Sequence, residues 1–169
     1  YARAFFDELH FDAITINPYL GSESISPFLE DEAKGVFILC HTTNKGAQDF
    51  QKFSNGKKAL FELVAEQVQK WNTRNNCGLV VGATYPDEMK HVRSLVPELP
   101  FLVPGLGAQG GDFDLAVQYA IDKNGFGAIF NFSRSILYSS SDKDFAEAAG
   151  RTTQQMKNEI IRIKKNLLN

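Results

Sequence analysis

Phe101-Leu-Val-Pro104-Gly-Leu-Gly107-Ala-Gln109-Gly-Gly111 is the stretch on which the fold turns. Phe101, Leu102 and Val103, coming after the breaker Pro100, read as a short buried strand that Pro104 ends. Gly105, Gly107, Gly110 and Gly111 then let the backbone take positive φ and approach a ligand closely. Asp112 reads as the N-cap of a helix with Phe113, Ala116, Val117 and Ala120 on one face. A glycine-rich loop between a strand and a helix N-terminus aims free N–H groups at whatever lies above it, and phosphate is the usual occupant. The same loop is also compatible with a plain flexible connection. Its spacing matches neither the dinucleotide fingerprint nor the P-loop.

The same strand-then-helix pattern recurs on both sides. Asp12 to Asn17 is a strand stopped by Pro18, and Val36 to Cys40, Leu79 to Thr84 and Gly127 to Phe132 are others. Ser26-Pro27 reads as N-cap and first residue of a short helix closed by Gly35. Between Lys58 and Arg74 a helical face carries Leu60, Val64, Val68 and Trp71, with Gly78 marking its end. Pro86 opens a helix with Asp87 and Glu88 at its positive end and Met89, Val92 and Val96 buried. Lys123-Asn-Gly125 makes a turn. From Asp142 to about Leu168 a last helix has Phe145, Met156, Ile160, Ile163 and Leu167 as its core stripe. Tyr1 to His10 has helical spacing without a cap, so the chain is expected to begin inside a helix.

Strands that are apolar throughout are buried on both faces, as parallel strands are. The expected class is therefore α/β with a parallel sheet of five strands. One architecture is a (β/α)8 barrel present as an incomplete C-terminal part, because a whole barrel needs about 250 residues. The alternative is a complete five-stranded doubly wound parallel sheet.

With 169 residues, 43% of them hydrophobic and a net charge of -2, the chain has material for one core and no basic field to attract nucleic acid. No apolar run reaches the roughly 20 residues of a membrane span and no signal peptide opens the sequence, so a cytoplasmic setting is expected. Cys40 and Cys77 read as buried free thiols. Cys40 and His41 are strand neighbours, expected to point to opposite faces and so not to form a thiol and imidazole pair.

Polar residues gather just after the strands: Asn17, Thr42, Thr43, Thr84, Gln109 and Arg134. Hydroxyls, an amide with its glycine loop and an arginine suit a ligand with a phosphate at one end and a hydrogen-bonding ring at the other. Arg134 is either a phosphate clamp, for which its planar fork is apt, or a structural arginine paired to a helix end.

Three motifs carry a resemblance: Asp12-Ala-Ile-Thr-Ile-Asn-Pro-Tyr-Leu-Gly21, Pro104-Gly-Leu-Gly-Ala-Gln109-Gly-Gly, and Asn131-Phe-Ser-Arg134-Ser-Ile. Together they resemble the C-terminal part of the orotidine 5'-phosphate decarboxylase family, over essentially the whole chain. That resemblance implies a (β/α)8 barrel acting as a homodimer, converting orotidine 5'-phosphate to UMP and carbon dioxide with no metal or organic cofactor. It implies that Gln109 bridges phosphate and pyrimidine, that Arg134 binds phosphate, that Thr43 or Thr42 meets the pyrimidine edge and that Pro104 packs beside the ring. Ser133 stands where many relatives have glycine, at a further substrate contact. The family's D-x-K-x-x-D motif, whose lysine protonates the carbanion, is absent from the sequence. The resemblance thus makes the chain strands four to eight, residues 1–169 of one barrel domain, with no catalytic residue of its own. Two other readings stay open: a sugar-phosphate lyase or epimerase on a similar barrel, and a noncatalytic nucleotide-binding domain.

Overall fold

The computed structural model of the chain describes residues 1–106 and 112–168. A π-helical turn, Ala4–Glu8, opens it, with Phe6 buried. Strand β1 is Ala13–Ile16, helix α1 Ser22–Ile25, strand β2 Gly35–His41, helix α2 Ala47–Phe50 and helix α3 Leu60–Trp71. Strand β3 is Cys77–Val81, helix α4 Pro86–Leu95, strand β4 Phe101–Val103 and helix α5 Phe113–Ala120. Strand β5, Ala128–Phe130, and helices α6, Arg134–Leu137, and α7, Phe145–Leu168, complete it.

All four pairings are parallel and the sheet order is β1-β2-β3-β4-β5. A doubly wound sheet reverses its order at a switch point, where this order runs straight through, as consecutive strands of a barrel wall do. The core lies between this sheet and α3, α4 and α5. Val36, Ile38, Leu79, Val81, Phe101 and Val103 meet Phe61, Val68, Met89, Val92 and Ala116 there, all buried. As the sequence suggests, Asp112 caps α5 by accepting from the Leu115 N–H at 3.1 Å, and Gly125 makes its turn at φ 77°.

Several expectations are corrected. Ser26 is not an N-cap, because its own N–H donates to the oxygen of Ser22, the first residue of α1, and it is itself the first residue of a 3-10 helix, Ser26–Phe28, that tolerates Pro27 early. Gly35 closes nothing; it pairs with Ala13 and begins β2. Gly78 lies inside β3 and not at a helix end. A Cβ there would sit 2.6 Å from the Phe37 ring and 2.9 Å from the Pro100 oxygen. Asn72 ends α3 instead, its N–H on Val68 and its Oδ1 accepting the Cys77 N–H at 2.9 Å. The deepest stripe of α3 is Phe61, Ala65 and Val68, with Leu60, Val64 and Trp71 beside it, since the apolar face is wider than the sheet covers. Phe145 is 60% exposed, because the 24-residue α7 overhangs the much shorter α5 and α6 on which it rests. The outer strands β1 and β5 are only half covered, unlike β3 between them, and Ile129 is 53% exposed.

At the N-terminal ends of the strands, Arg93 of α4 gathers five backbone carbonyls from three segments. One terminal nitrogen reaches Leu99 at 2.7 Å and, more loosely, Val96 and Pro97. The other reaches Ala120 and Gly127, the latter at 3.1 Å. Its guanidinium lies 3.6 Å from the centre of the Phe101 ring, and burial pushes its pKa down to about 10, so it stays charged. A lysine cannot span these carbonyls with one ammonium. Arg93→Lys is expected to destabilise the fold by about 2 kcal/mol and Arg93→Ala by about 3 kcal/mol or more, read as shifts in the urea midpoint. A midpoint unchanged in both variants would show that the carbonyl cluster holds itself.

Candidate functional site

Because every strand runs the same way, the segments after β2, β4 and β5 rise on one rim. Thr43, Pro104, Gly105, Ser133, Arg134 and Ser135 converge there on a cleft of about 160 Å³, with Asn131 and Leu106 at its wall. Four of the six substrate-binding residues expected from the sequence thus come together. Thr42 does not join them. Its N–H donates to Gln51 Oε1 at 2.8 Å, and its hydroxyl accepts from Gln51 Nε2 and donates to Asn44. Gln109 lies outside the described residues.

Thr43 is held by two absent side chains. A Cβ on Gly82 would lie 2.4 Å from Thr43 Cγ2 and 3.1 Å from its nitrogen, and one on Gly105 would lie 2.6 Å from the same methyl. Gly105 also has φ 92°, which an L side chain rarely adopts. The threonine methyl therefore fills the space over both glycines, which fixes χ1 and with it the direction of the hydroxyl. Main-chain bonds knit the same ends: Gly82 N–H to His41 oxygen at 2.7 Å and Ala83 N–H to Pro104 oxygen at 2.9 Å.

Arg134 begins α6, directly after its N-cap Ser133, and is exposed. No carboxylate among the described residues lies within ion-pair distance of it, so the alternative of a structurally paired arginine has no partner there. The hydroxyls of Thr84 and Ser135, both buried at this rim, have no hydrogen-bond partner among the described residues either. Thr84 Oγ1 would stand 3.6 Å from a Gly105 Cβ.

Beneath the cleft, β2 bulges: Leu39 pairs with Val80 and His41 with Val81, leaving Cys40 as the extra residue. Strict alternation fails at this point, and both side chains are buried, each against Phe61. They still do not pair. The Cys40 thiol donates to the Phe61 oxygen at 3.2 Å, and burial pushes its pKa up to about 12. The His41 ring stands edge-on between Phe61 and Tyr85, at 4.9 and 5.0 Å.

Sequence reasoning missed Gly82 and Ser135. A glycine interrupting the apolar run Val80-Val-Gly-Ala83 signals close backbone approach, and Ser135 sits inside the Asn131 to Ile136 motif already singled out.

A parallel α/β wall with an uncommitted arginine and a fixed hydroxyl around a small cleft on its C-terminal rim is the layout of phosphate-binding barrels. Residues 1–149 match the model of the orotidine 5'-phosphate decarboxylase / HUMPS family. The chain is 46% identical over 169 residues to an orotidine 5'-phosphate decarboxylase of Dehalococcoides mccartyi, covering 98% of this chain and 63% of that protein. It is 52% identical over 157 residues to one of Herpetosiphon aurantiacus, covering 91% of this chain and 57% of the relative. Among solved structures it resembles Leishmania donovani UMP synthase, with TM-score 0.87, 40% identity and coverage of 97% of this chain and 36% of that one. It also resembles Leishmania donovani OMP decarboxylase, with TM-score 0.85, 38% identity and coverage of 97% and 61%. The chain belongs to the orotidine 5'-phosphate decarboxylase / HUMPS family. It spans about 63% of the length of the Dehalococcoides mccartyi relative.

The seat of Thr43 gives a direct test. Gly82→Ala should cost about 1 to 3 kcal/mol by overpacking, since the Thr43 nitrogen cannot yield as a side chain could. Thr43→Ser, which removes the methyl, should recover part of that loss in the double variant, measured as a coupling in urea unfolding. Strict additivity of the two substitutions would mean that the methyl and Gly82 do not touch.

Proposed function

We propose that this chain supplies the phosphate- and pyrimidine-binding half of an orotidine 5'-phosphate decarboxylase, the C-terminal part of a single (β/α)8 barrel that forms UMP in pyrimidine biosynthesis. The observation that carries the reading is the cleft bounded by Thr43, Pro104, Ser133 and Arg134, on a chain that belongs to this family. Among its described lining residues there is no carboxylate. A sugar-phosphate lyase or epimerase would want acids or metal ligands at this rim, so the decarboxylase is the better fit.

Loss of carbon dioxide from C6 of the pyrimidine leaves a localised carbanion with no adjacent electron sink. Catalysis then has to come from preorganised charge and from binding energy gathered at the remote end of the substrate. In this reading Arg134 takes the phosphate dianion with the Ser133 backbone beside it, Gln109 bridges phosphate and pyrimidine, Thr43 meets the pyrimidine edge and Pro104 flanks the ring. The lysine that protonates the carbanion belongs to a D-x-K-x-x-D segment that the sequence does not contain, so no proton-transfer step is assigned to these residues. The reaction uses no metal or organic cofactor.

A homodimer is part of the same proposal. Tyr19, Leu20, Phe50 and Phe53 are each more than two-thirds exposed. Tyr19 and Phe50 border a groove of about 680 Å³ with Leu60 and Val64. Contiguous apolar surface of this kind beside the site rim suits a second copy of the chain. The proposed setting is the cytoplasm, with neither nucleic acid nor membrane as partner; no helix among the described residues is long and apolar enough to cross a bilayer.

Calorimetry with UMP, uridine and ribulose 5-phosphate tests the assignment. A charge-assisted contact to phosphate is worth about 1.5 to 3 kcal/mol, and about 1.4 kcal/mol is tenfold. Arg134→Ala should therefore weaken UMP binding by at least about tenfold and leave uridine binding nearly unchanged. Equal losses on both ligands would make Arg134 structural, and a preference for ribulose 5-phosphate over UMP would favour the sugar-phosphate reading.

A further inference from the structure

We propose that His41 is the residue that positions Thr43 in the cleft, and that it does so only as the neutral imidazole. Its ligand-binding consequence rests on the reading of the cleft as a nucleotide site.

The geometry begins with the bulge in β2, which turns His41 inward at the last residue before the site loop. The ring is wholly buried, and neither Nδ1 nor Nε2 has a hydrogen-bond partner among the described residues. Phe61 of α3 meets it on one side and Tyr85, the residue before α4, on the other, both edge to face. The backbone oxygen of the same histidine accepts the Gly82 N–H. His41 thus wedges α3 apart from the start of α4 while its main chain holds β2 to β3. Those are the two strand ends between which the Thr43 methyl is seated over Gly82.

The charged groups around the ring cannot rescue a proton on it. Glu88 of α4 is the acid whose field reaches it, but Glu88 is already paired with Lys52, which follows α2. Lys52 opposes a positive ring and lies 4.5 Å from the centre of the Tyr85 ring. The Tyr85 hydroxyl accepts from Gln48 Nε2, and the Cys40 thiol is spent on the Phe61 oxygen. Burial accordingly holds the imidazole below its ordinary value of 6.5. The sign follows from linkage. The neutral form is the native one, so its contribution is complete above about 6.5 and declines as the pH falls below that value toward the lowered native pKa. A ring forced to take a proton must leave the space between Phe61 and Tyr85. Thr42 and Thr43, the next two residues, are the part of the chain it would drag.

Recorded by NMR between about pH 5 and pH 8, the His41 imidazole should titrate below its ordinary value of 6.5, and the Thr43 amide should follow the same curve. Saturating UMP should push the His41 titration lower still, because a ligand that needs the neutral form must disfavour the proton reciprocally. In calorimetry, His41→Phe keeps an apolar ring and should retain UMP affinity within about threefold at neutral pH, while His41→Ala should lose about tenfold. The wild type should lose UMP and uridine alike in acid, beyond the loss from the phosphate, which titrates near pH ~6. His41→Phe should show the phosphate effect alone. A Thr43 amide indifferent to the His41 titration, or an acid loss retained in His41→Phe, overturns the proposal. Failure of UMP to bind at any pH would overturn the nucleotide reading instead, while the Thr43 amide would still decide the coupling.

Discussion

A single guanidinium determines where the two halves of the cleft stand. Strands β4 and β5 pair over only three residues each, Phe101 with Ala128 through Val103 with Phe130. So short a ladder does little by itself to fix the angle between two strands. Arg93 does what the ladder cannot, since its two terminal nitrogens hold the carbonyls that lead into β4 on one side and into β5 on the other. Phe101, the first residue of β4, is stacked on the same group. Pro104 and Gly105 emerge from β4 and Ser133 and Arg134 from β5, so the mouth of the cleft is set by a contact at the far end of both strands. The rigid end and the end that carries the cleft are different ends, as parallel sheets allow.

The second constraint is steric and lies at the rim itself. Three strand ends approach so closely that Thr43, Gly82 and Gly105 share one volume. There the identity of a small residue decides the direction of a hydroxyl at the cleft. Thr42, one position earlier, is bound to Gln51 and serves the loop instead of the cleft.

Much of this was legible in the sequence. Apolar runs gave all five strands, Asp112 and Pro86 gave two helix starts, the strand-end polar residues gave Thr43 and Arg134, and the family resemblance added Pro104 and Ser133. What was not legible has a common cause: it depends on which side of an element a neighbour lands. Gly78 and Gly82 look like punctuation until Phe37 and Thr43 are seen where their side chains would be. A helical face six residues wide cannot say that Phe61 is deeper than Leu60. Thr42 and Thr43 are chemically alike, and only the bulge at Cys40 and the reach of Gln51 tell them apart. Arg93 has no sequence signature, because all its partners are backbone carbonyls and carbonyls leave no trace in composition.

The two cysteines carry a consequence of another kind. Cys40 sits in β2 and Cys77 in β3, both buried, with pKa values pushed up to about 12 and about 11. Since the thiolate is the species that attacks electrophiles and peroxides, the two thiols of the folded chain are chemically silent. An alkylating reagent can reach it only when these two central strands part, which makes the rate of thiol modification a clock for the opening of the middle of the sheet and tells nothing about its frayed edges.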